Sequence, residues 1–520
     1  MDSNQDGIGD LPGIISKLDY IQQLGFETIW ISPFFRSPQA DWGYDVSDYY
    51  DIAPEYGNLQ DAERLIEEVH RRDMRILFDL VLSHSSDQHP WFKESRSSRE
   101  NPKRDWYIWR DGRGSKPPTN WQAIPGGSGW HYDERTDQWY YASFLPFQPD
   151  LNYRNPEVRE EMFKVVRYWL DKGVDGFRLD IFHCLFKDKQ FRDNPFSTKL
   201  LTSDHSAGFF QQWKYTVNQP ETFEHAKQLR SLIDSYTPDR VLIGELFGDP
   251  EVMRSYLGEA LDGLNLVFLW DLVDQELDAS FLRQVLHRYE TIYPEPYTPV
   301  YLFGNHDLKR LFSKMNGDIP KVKLLALLQF TARGVPVTYY GEEIGMSDVS
   351  IPAREAKDPV GRRYRWVPKF LTKLLHLYFN RDGCRTPMQW DNSPHAGFCP
   401  QTVQPWLPVH EDYERANVKA QASDPQSLLN TYKTLLKLRN ESSVLQEGTL
   451  CMLEGTGEIL AYLREVDEDK MLVLLNFGDV ERIYENPTGC WKERIQVGQV
   501  SIKDAVNLRM GPLSGIVLST

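Results

Sequence analysis

Short apolar runs alternate with longer amphipathic stretches along most of this 520-residue chain. The short runs are rich in β-branched and aromatic residues, which favour buried strands. The stretches between them carry apolar residues at helical spacing, and this alternation predicts a parallel α/β fold. Seven strands are predicted, at Phe26–Pro33, Arg75–Val81, Val174–Phe182, Val241–Phe247, Leu264–Trp270, Val300–Asp307 and Val335–Gly341. Helices are predicted at Leu11–Leu24, Asp61–Arg72, Pro156–Lys172 and Lys321–Arg333.

Two parts of the chain break this rhythm. Residues 86–155 are rich in Trp, Pro, Gly and charge, which is typical of an inserted subdomain. From about residue 440 short strands predominate, which predicts a small β domain. These strands are predicted at Ile459–Leu463, Met471–Asn476 and Ser514–Leu518. The predicted organisation is a main domain of residues 1–85 and 156–439, a subdomain of residues 86–155, and a C-terminal domain of residues 440–520.

The composition narrows the class of partner. The formal net charge of −16 repels phosphate backbones, so nucleic acid is not an expected partner. The five cysteines are scattered and form no CxxC pair, so neither a disulfide framework nor a zinc cluster is indicated. No apolar run approaches the ~18 residues of a membrane span, and the polar N-terminus does not resemble a signal peptide. We therefore expect a cytoplasmic protein without a membrane segment.

Polar side chains stand at the carboxyl ends of several predicted strands. These runs end at His84, Asp180, Glu245 and Asp307. In a (β/α)8 barrel this face carries the active site, and a core strand has no structural need for a charge there. The pattern predicts a catalytic site, and a structural ion pair beside an unrelated Glu is the alternative. The 13% of aromatic residues suits either stacking on sugar rings or an aromatic-rich core.

Two of these carboxylates have different expected environments. Arg178 lies two residues before Asp180, so both side chains face the same side of the strand. A nearby guanidinium favours the ionised carboxylate, which a nucleophile needs. Glu245 follows the apolar run VLIG, and burial there favours the protonated form, which a general acid needs.

The N-terminal segment DSNQDGIGD places oxygen donors at alternate positions along a short loop. Hard oxygen ligands with a glycine at the bend suit Ca²⁺, while the lack of a closing Glu argues against an EF-hand. A solvated acidic turn is the alternative. The expected ligands are Asp2, Asn4, Asp6, the carbonyl oxygen of Ile8, and Asp10.

Four longer motifs make the comparison with a known family specific. In chain order they are DLVLSH (Asp79–His84), GFRLD (Gly176–Asp180), GEL (Gly244–Leu246) and GNHD (Gly304–Asp307). They resemble the signature regions of glycoside hydrolase family 13, the α-amylase family, in the order the family has them. The resemblance covers nearly the whole chain. It implies a (β/α)8 barrel, a subdomain inserted after the third strand, and a C-terminal antiparallel β domain.

Further motifs are similar to the oligo-1,6-glucosidase and maltase branch of that family. They are QPDLN (Gln148–Asn152), YYGEEIGM (Tyr339–Met346) and RTPMQWD (Arg385–Asp391). This branch implies an exo-acting α-glucosidase that retains configuration. Its substrates are short oligosaccharides with a terminal α-linked glucose, such as maltose or isomaltose.

The resemblance also implies roles for single residues. It makes Asp180 the nucleophile, Glu245 the general acid/base, and Asp307 the carboxylate that holds the sugar hydroxyls. The residues it places round the terminal glucose are Asp41, Tyr44, His84, Arg178 and His306.

Two further contacts with the sugar follow from the same resemblance. An arginine of the segment Asn380–Arg385 is expected to pair with Asp41 and close the pocket, and Arg381 is favoured over Arg385. Phe144 is expected to clamp the sugar from the inserted subdomain.

The chain departs from the family pattern at two places. The N-terminal loop resembles the branch's structural calcium loop, but the family places a strand directly before it. The first barrel strand is therefore expected to be missing from this chain. Ser83 stands where the family usually has Asn, so a second metal site is not expected there.

Other activities within the family stay open. Trehalose synthase, a sucrose-active relative and an endo-acting α-amylase are alternatives, although the branch motifs favour a glucosidase. The non-enzymatic amino-acid-transporter heavy chain is an alternative of another class, but it carries a membrane span and usually lacks part of the catalytic set. Linkage preference is open too, because Ile181 is bulkier than the Val that accompanies α-1,6 preference in this branch.

Overall fold

The computed structural model describes residues 1–198, 207–273, 277–367, 378–455, 457–485, 491–502 and 507–520. The chain divides into two compact units, which we describe separately. The first unit comprises Asp10–Ile15 and Glu27–Phe268. The second unit comprises Met1–Gly9, Ser16–Phe26 and Leu269–Thr520.

The first unit contains a parallel sheet with helices in the intervening segments. Its strands are β1 (Thr28–Ile31), β2 (Phe35–Arg36), β3 (Asp48–Ile52), β4 (Arg75–Leu80), β5 (Trp109–Arg110), β6 (Trp130–Asp133), β7 (Gln138–Tyr141), β8 (Gly176–Leu179), β9 (Ala207–Gly208), β10 (Gln211–Gln212), β11 (Val241–Gly244) and β12 (Leu266–Val267). Its helices span Leu11–Ile15, Leu59–His70, Pro90–Ser97, Pro156–Asp171, Pro220–Ile233 and Pro250–Ser255, with 3-10 turns at Arg104–Trp106 and Phe182–Cys184.

The parallel sheet has the strand order β1-β4-β8-β11-β12. Every residue of β8 is buried, as expected for a strand covered on both faces. Gly176 begins β8 at φ +149, and a Cβ there would lie 1.9 Å from the carbonyl oxygen of Val241. Only glycine therefore allows β8 and β11 to pair at this point.

Local signals explain where the helices begin. The side chain of Asn155 accepts a hydrogen bond from the amide of Glu157 and caps the helix Pro156–Asp171. The prediction of one helix over Leu11–Leu24 is wrong, because the chain forms Leu11–Ile15 and then Leu18–Leu24. Lys17, between them, has φ −116 and ψ 3, which is not helical.

The predicted subdomain forms a small antiparallel sheet with the order β5-β7-β6. Its core is aromatic and contains Trp121, Trp130 and Tyr141 beside Ile108. The Trp and Tyr residues that the sequence concentrates in residues 86–155 thus form part of a core.

The second unit combines a parallel strand pair with antiparallel sheets. Its strands are β13 (Val300–Leu302), β14 (Val335–Val337), β15 (Thr449–Met452), β16 (Ile459–Val466), β17 (Asp469–Asn476), β18 (Arg482–Glu485), β19 (Lys492–Val497), β20 (Val500–Ile502), β21 (Asn507–Met510) and β22 (Ser514–Ser519). Its helices span Leu18–Leu24, Ala279–Ile292, Leu311–Lys314, Ile319–Thr331, Pro359–Arg363, Val418–Ala422, Leu428–Asn440 and Ser443–Gln446.

Strands β13 and β14 pair in parallel, and the strands from β15 onward form antiparallel sheets of order β15-β16-β17-β22-β19 and β18-β21-β20. Each of the seven predicted strands of the main domain contains an observed strand: β1, β4, β8, β11, β12, β13 or β14. Among the described residues, no helix has both the length and the apolar character that crossing a lipid bilayer requires.

Candidate active site

One buried arginine binds two of the predicted catalytic carboxylates. The Nη1 of Arg178 donates to Oδ1 of Asp180 at 2.8 Å, and its Nη2 lies 2.7 Å from Oε2 of Glu245. Arg178 is 1% exposed, Asp180 6% and Glu245 5%. The burial expected for Glu245 is confirmed, but its ion pair with Arg178 was not predicted. The guanidinium aligns both carboxylates and offsets their negative charge.

Sheet register explains why the two carboxylates meet. Asp180 directly follows β8 and Glu245 directly follows β11, and the final residues of these strands, Leu179 and Gly244, are partners. The amide of Glu245 donates to the carbonyl of Leu179 at 2.9 Å, which continues the ladder beyond the strands. Both side chains therefore stand at the carboxyl edge of one parallel sheet, where α/β barrels carry their catalytic groups.

Asp79 accepts hydrogen bonds from this arginine and from two further side chains. Its carboxylate accepts hydrogen bonds from Nη1 of Arg178 at 3.0 and 3.1 Å, from the Tyr44 hydroxyl at 3.0 Å, and from Trp30 Nε1 at 3.2 Å. Burial raises the pKa of Asp79 to about 6, against the opposing effect of Arg178. No role was predicted for Asp79 from the sequence. A charged residue within the apolar run RILFDLV was the signal that could have identified it.

Asp41 is buried and held by neighbours on two sides. Gln148 Nε2 donates to its Oδ2 at 3.0 Å, and its own amide donates to Oδ1 of Asp45 at 2.9 Å. Burial raises the pKa of Asp45 to about 6, although three hydrogen bonds, from Ser37 and two amides, oppose this. Gln148 of the QPDLN motif therefore orients the predicted sugar ligand Asp41.

His84 is bound through both ring nitrogens. Its Nε2 lies 3.0 Å from the carbonyl oxygen of Tyr44, and its Nδ1 lies 2.8 Å from the Ser83 hydroxyl. A carbonyl only accepts, so Nε2 carries the proton and Nδ1 accepts from Ser83. Burial lowers the pKa of His84, which favours this neutral form. Half-buried Phe144 lies in the inserted segment, and its contact with sugar stays a prediction.

The second unit gathers a separate group of predicted residues. Asp307 Oδ1 accepts from Arg381 Nη1 at 3.1 Å and from Arg385 Nη2 at 2.8 Å. His306 Nε2 lies 3.2 Å from Asp307 Oδ2. Buried Asp358, to which the sequence assigned no role, binds Arg381 Nη2 at 2.7 Å. Both arginines thus bind Asp307, while the pairing of Arg381 with Asp41 stays a prediction.

The predicted calcium loop is held by its own backbone. The carboxylate of Asp2 accepts from the amides of Gln5 and Gly7 at 2.7 and 2.9 Å, and Asp6 Oδ1 accepts from the Ile8 amide at 2.8 Å. Asp10 accepts from the Gly13 amide at 2.7 Å. Across the described parts of the chain, no three His, Cys, Asp or Glu side chains are grouped as metal ligands. Because the predicted ligands also include Asn4 and a carbonyl oxygen, Ca²⁺ binding stays a prediction.

The chain is similar to known proteins over its length. The family described as "Alpha amylase, catalytic domain" matches residues 1–448. A probable α-glucosidase of Rhizobium meliloti is 39% identical over 503 residues, covering 94% of this chain and 88% of its own. An oligo-1,6-glucosidase of Parageobacillus thermoglucosidasius is 37% identical over 516 residues, covering 94% of this chain and 89% of its own.

Among solved structures, that of an α-glucosyl transfer enzyme superposes with a TM-score of 0.90 at 36% identity, covering 100% of this chain and 96% of that one. These matches confirm the fold class predicted from the sequence, a (β/α)8 barrel with a C-terminal antiparallel β domain. The chain therefore belongs to the α-amylase family of glycoside hydrolases.

Proposed function

We propose that this protein is an exo-acting, retaining α-glucosidase that releases terminal α-linked glucose from short oligosaccharides. The observation that carries the proposal is the pair of carboxylates, Asp180 and Glu245, on one buried guanidinium. A single guanidinium reaches both only when they are close neighbours. This arrangement is compatible with the separation of about 5–5.5 Å that retaining glycosidases use.

The reaction then proceeds by double displacement. Glu245 gives its proton to the glycosidic oxygen as the bond from that oxygen to the anomeric carbon breaks, and an Asp180 oxygen bonds to the anomeric carbon. In the second half, water gives a proton to Glu245 while its oxygen replaces Asp180 at the anomeric carbon. Arg178 donates a hydrogen bond of 2.8 Å to Asp180 and offsets its negative charge, and two inversions give net retention.

The substrate class is proposed from the relatives and from the branch motifs. The names of the two relatives specify α-glucosidase and oligo-1,6-glucosidase activity, which agree with maltose and isomaltose as substrates. The decisive experiment measures glucose release from maltose, isomaltose, sucrose, trehalose and starch by the purified full chain. Glucose from maltose or isomaltose supports the proposal, while rapid loss of starch viscosity with little free glucose would show an endo-acting enzyme instead.

The stereochemistry is tested on the same substrates. Proton NMR of the first product should show α-glucose before mutarotation. Initial formation of β-glucose would contradict retention and therefore the role of Asp180 as nucleophile.

Glucosyl transfer is the second candidate activity. It is favoured by the structural likeness to an α-glucosyl transfer enzyme, with a TM-score of 0.90. Transfer differs from hydrolysis only in the acceptor that resolves the glucosyl-enzyme, because a sugar hydroxyl takes the place of water. Product analysis at rising maltose concentration separates the two. Each transfer to a second maltose gives one trisaccharide and one leaving glucose, so a trisaccharide-to-glucose ratio near one would identify a transferase, and glucose with little trisaccharide a hydrolase.

A further inference from the structure

The residue after the nucleophile has a strained backbone. Ile181 has φ 30 and ψ 46, in the left-handed region. A β-branched side chain is rare there, because its branch crowds the backbone. Such conformations persist only where the surrounding structure holds them, and they are concentrated at functional sites.

The side chain of Ile181 provides this hold. It is 7% exposed and packs in an apolar cluster with Cys184, Trp213 and Val217. The carbonyl of Ile181 accepts from the Cys184 amide at 2.9 Å, which fixes the turn from the other side. The apolar anchor therefore keeps the backbone in a conformation that an isolated isoleucine avoids.

The strained backbone points the N–H of Ile181 at Glu245, the predicted general acid/base. The amide of Ile181 donates to Oε2 of Glu245 at 3.1 Å in buried surroundings. The same oxygen lies 2.7 Å from Nη2 of Arg178. Two donors on one carboxylate oxygen favour negative charge on that oxygen and disfavour a proton there.

We propose that Ile181 is a positioning residue whose backbone N–H anchors Oε2 of Glu245, so that Glu245 exchanges its catalytic proton through Oε1. The proposal rests on the proposed glycosidase function and deepens it. The proton leaves Oε1 for the glycosidic oxygen and returns to Oε1 from water, while the anchored oxygen keeps the carboxyl plane fixed. Residue 181 thus acts on the reaction through its backbone as well as through the shape of its side chain.

Other charged and titratable groups also act on Glu245 within the first unit. Arg178 binds it directly, and the charge of Glu245 helps to raise the pKa of Asp79 and of Cys184. The test variants leave these groups in place, so a change in the pH profile reports the contribution of the Ile181 amide.

Four substitutions separate the backbone from side-chain volume. Ile181→Val keeps the apolar anchor, and Ile181→Gly and Ile181→Asn tolerate the left-handed conformation without it. Ile181→Ala lacks the apolar anchor and does not tolerate the left-handed conformation. Its backbone should therefore relax, and its N–H should move away from the Glu245 carboxylate. We expect the basic limb of the kcat/KM profile to move up by about one pH unit in the Ala variant, because a hydrogen bond to a charged group is worth about that much. The Val, Gly and Asn variants should stay near the parent.

The shift of the pH profile in the Gly variant, compared with that in the Ala variant, distinguishes an effect of the backbone from an effect of side-chain volume. If side-chain volume alone mattered, Gly would change the profile at least as much as Ala. A Gly variant displaced as far as Ala, or an Ala variant with the parent's profile, would overturn the proposal.

Replacing single amides by esters provides a direct test. The α-hydroxy acid analogue of isoleucine at position 181 replaces the N–H that donates to the carboxylate by an ester oxygen, and the basic limb should again move up by about one pH unit. Phenyllactate at position 182 is the matched control, because the Phe182 amide donates to the main-chain oxygen of Glu245 at 3.1 Å and not to its carboxylate. Equal shifts from both esters would show a structural effect and refute the proposal.

Failure of this inference and failure of the proposed function are distinguishable. If the parent enzyme releases no glucose from any substrate, the function itself is wrong. If the parent hydrolyses maltose or isomaltose with a bell-shaped profile and the ester at 181 leaves that profile unchanged, only the positioning role of Ile181 is wrong.

Discussion

Asp180 and Glu245 are joined through opposite terminal nitrogens of the same guanidinium, at 2.8 and 2.7 Å from Arg178. Asp79 shares the Nη1 that binds Asp180. One cation thus serves three carboxylates in a buried space, and a buried charge is tolerated only when it is paired in this way.

Arg178→Lys should nearly abolish turnover while the protein still folds. A lysine ammonium keeps the charge but cannot present two nitrogens in a fork, so the two carboxylates lose their common alignment. We expect kcat to fall by about 100-fold or more, as small misplacements of catalytic groups do. Circular dichroism and thermal melting provide the control for folding. A variant that keeps a tenth or more of the parent's kcat would contradict this role for Arg178.

Asp180→Asn and Glu245→Gln should fail in different ways. Without Asp180 no glucosyl-enzyme forms, so natural and activated substrates are both inert. Glu245→Gln leaves Asp180 able to attack an aryl α-glucoside with a good leaving group, and the intermediate should accumulate because no base activates water. Azide needs no deprotonation and should restore turnover with the α-glucosyl azide as product. Recovery of the β-azide would reverse our assignment of the two carboxylates.

Gln148→Leu should weaken substrate binding more than it slows chemistry. The substitution removes the donor that holds Asp41 at 3.0 Å, so this predicted sugar ligand loses one of the groups that orient it. We expect KM to rise about 10-fold with a smaller change in kcat, because the lost hydrogen bond from Gln148 no longer holds the charged Asp41 in place to bind the sugar. Gln190→Leu, at an exposed position, is the matched control. A fall in kcat at constant KM would assign Asp41 to the transition state instead.

Glu342 should make stability depend on pH. Burial raises its pKa from 4.5 to about 8, although the Tyr432 hydroxyl donates to it at 3.0 Å. The native state therefore holds a proton that the unfolded state releases, and the free energy of unfolding should fall as the pH rises from about 4.5 to about 8.

Glu342→Gln removes this titration. Denaturant unfolding at several pH values should show a smaller loss of stability across that interval than in the parent, while Glu441→Gln at an exposed position should follow the parent. Identical slopes in the parent and in Glu342→Gln would mean that Glu342 is already ionised in the native state.

Calcium removal should lower thermal stability and spare activity at moderate temperature. We expect the loop of Asp2, Asn4, Asp6, the Ile8 carbonyl and Asp10 to bind one Ca²⁺ with ligand distances of about 2.3–2.6 Å. Calorimetric titration of chelator-treated protein, with Asp6→Ala as the comparison, measures this binding directly. A melting temperature indifferent to chelator and to added Ca²⁺ would favour a loop held by its own hydrogen bonds, such as those from Gln5 and Gly7 to Asp2.

The sequence by itself determined the strands of the main domain and the chemical type of the site. Each of the seven predicted strands contains an observed one, since buried strands and amphipathic helices are encoded by local periodicity. Polar residues at strand ends, together with the four signature motifs, predicted Asp180 and Glu245 as a catalytic pair. Position along the chain is enough for this, because the carboxyl ends of parallel strands lie at a common edge.

Only the tertiary structure decided which groups share a partner. Arg178 and Asp79 are 99 residues apart, and Ile181 and Glu245 are 64 apart, so no local pattern relates them. Strand register places each pair in contact, and burial then raises the pKa of a carboxyl such as that of Asp79. The strain at Ile181 was equally hidden from the sequence, because isoleucine ordinarily avoids the left-handed region and the contacts of its side chain and backbone hold it there.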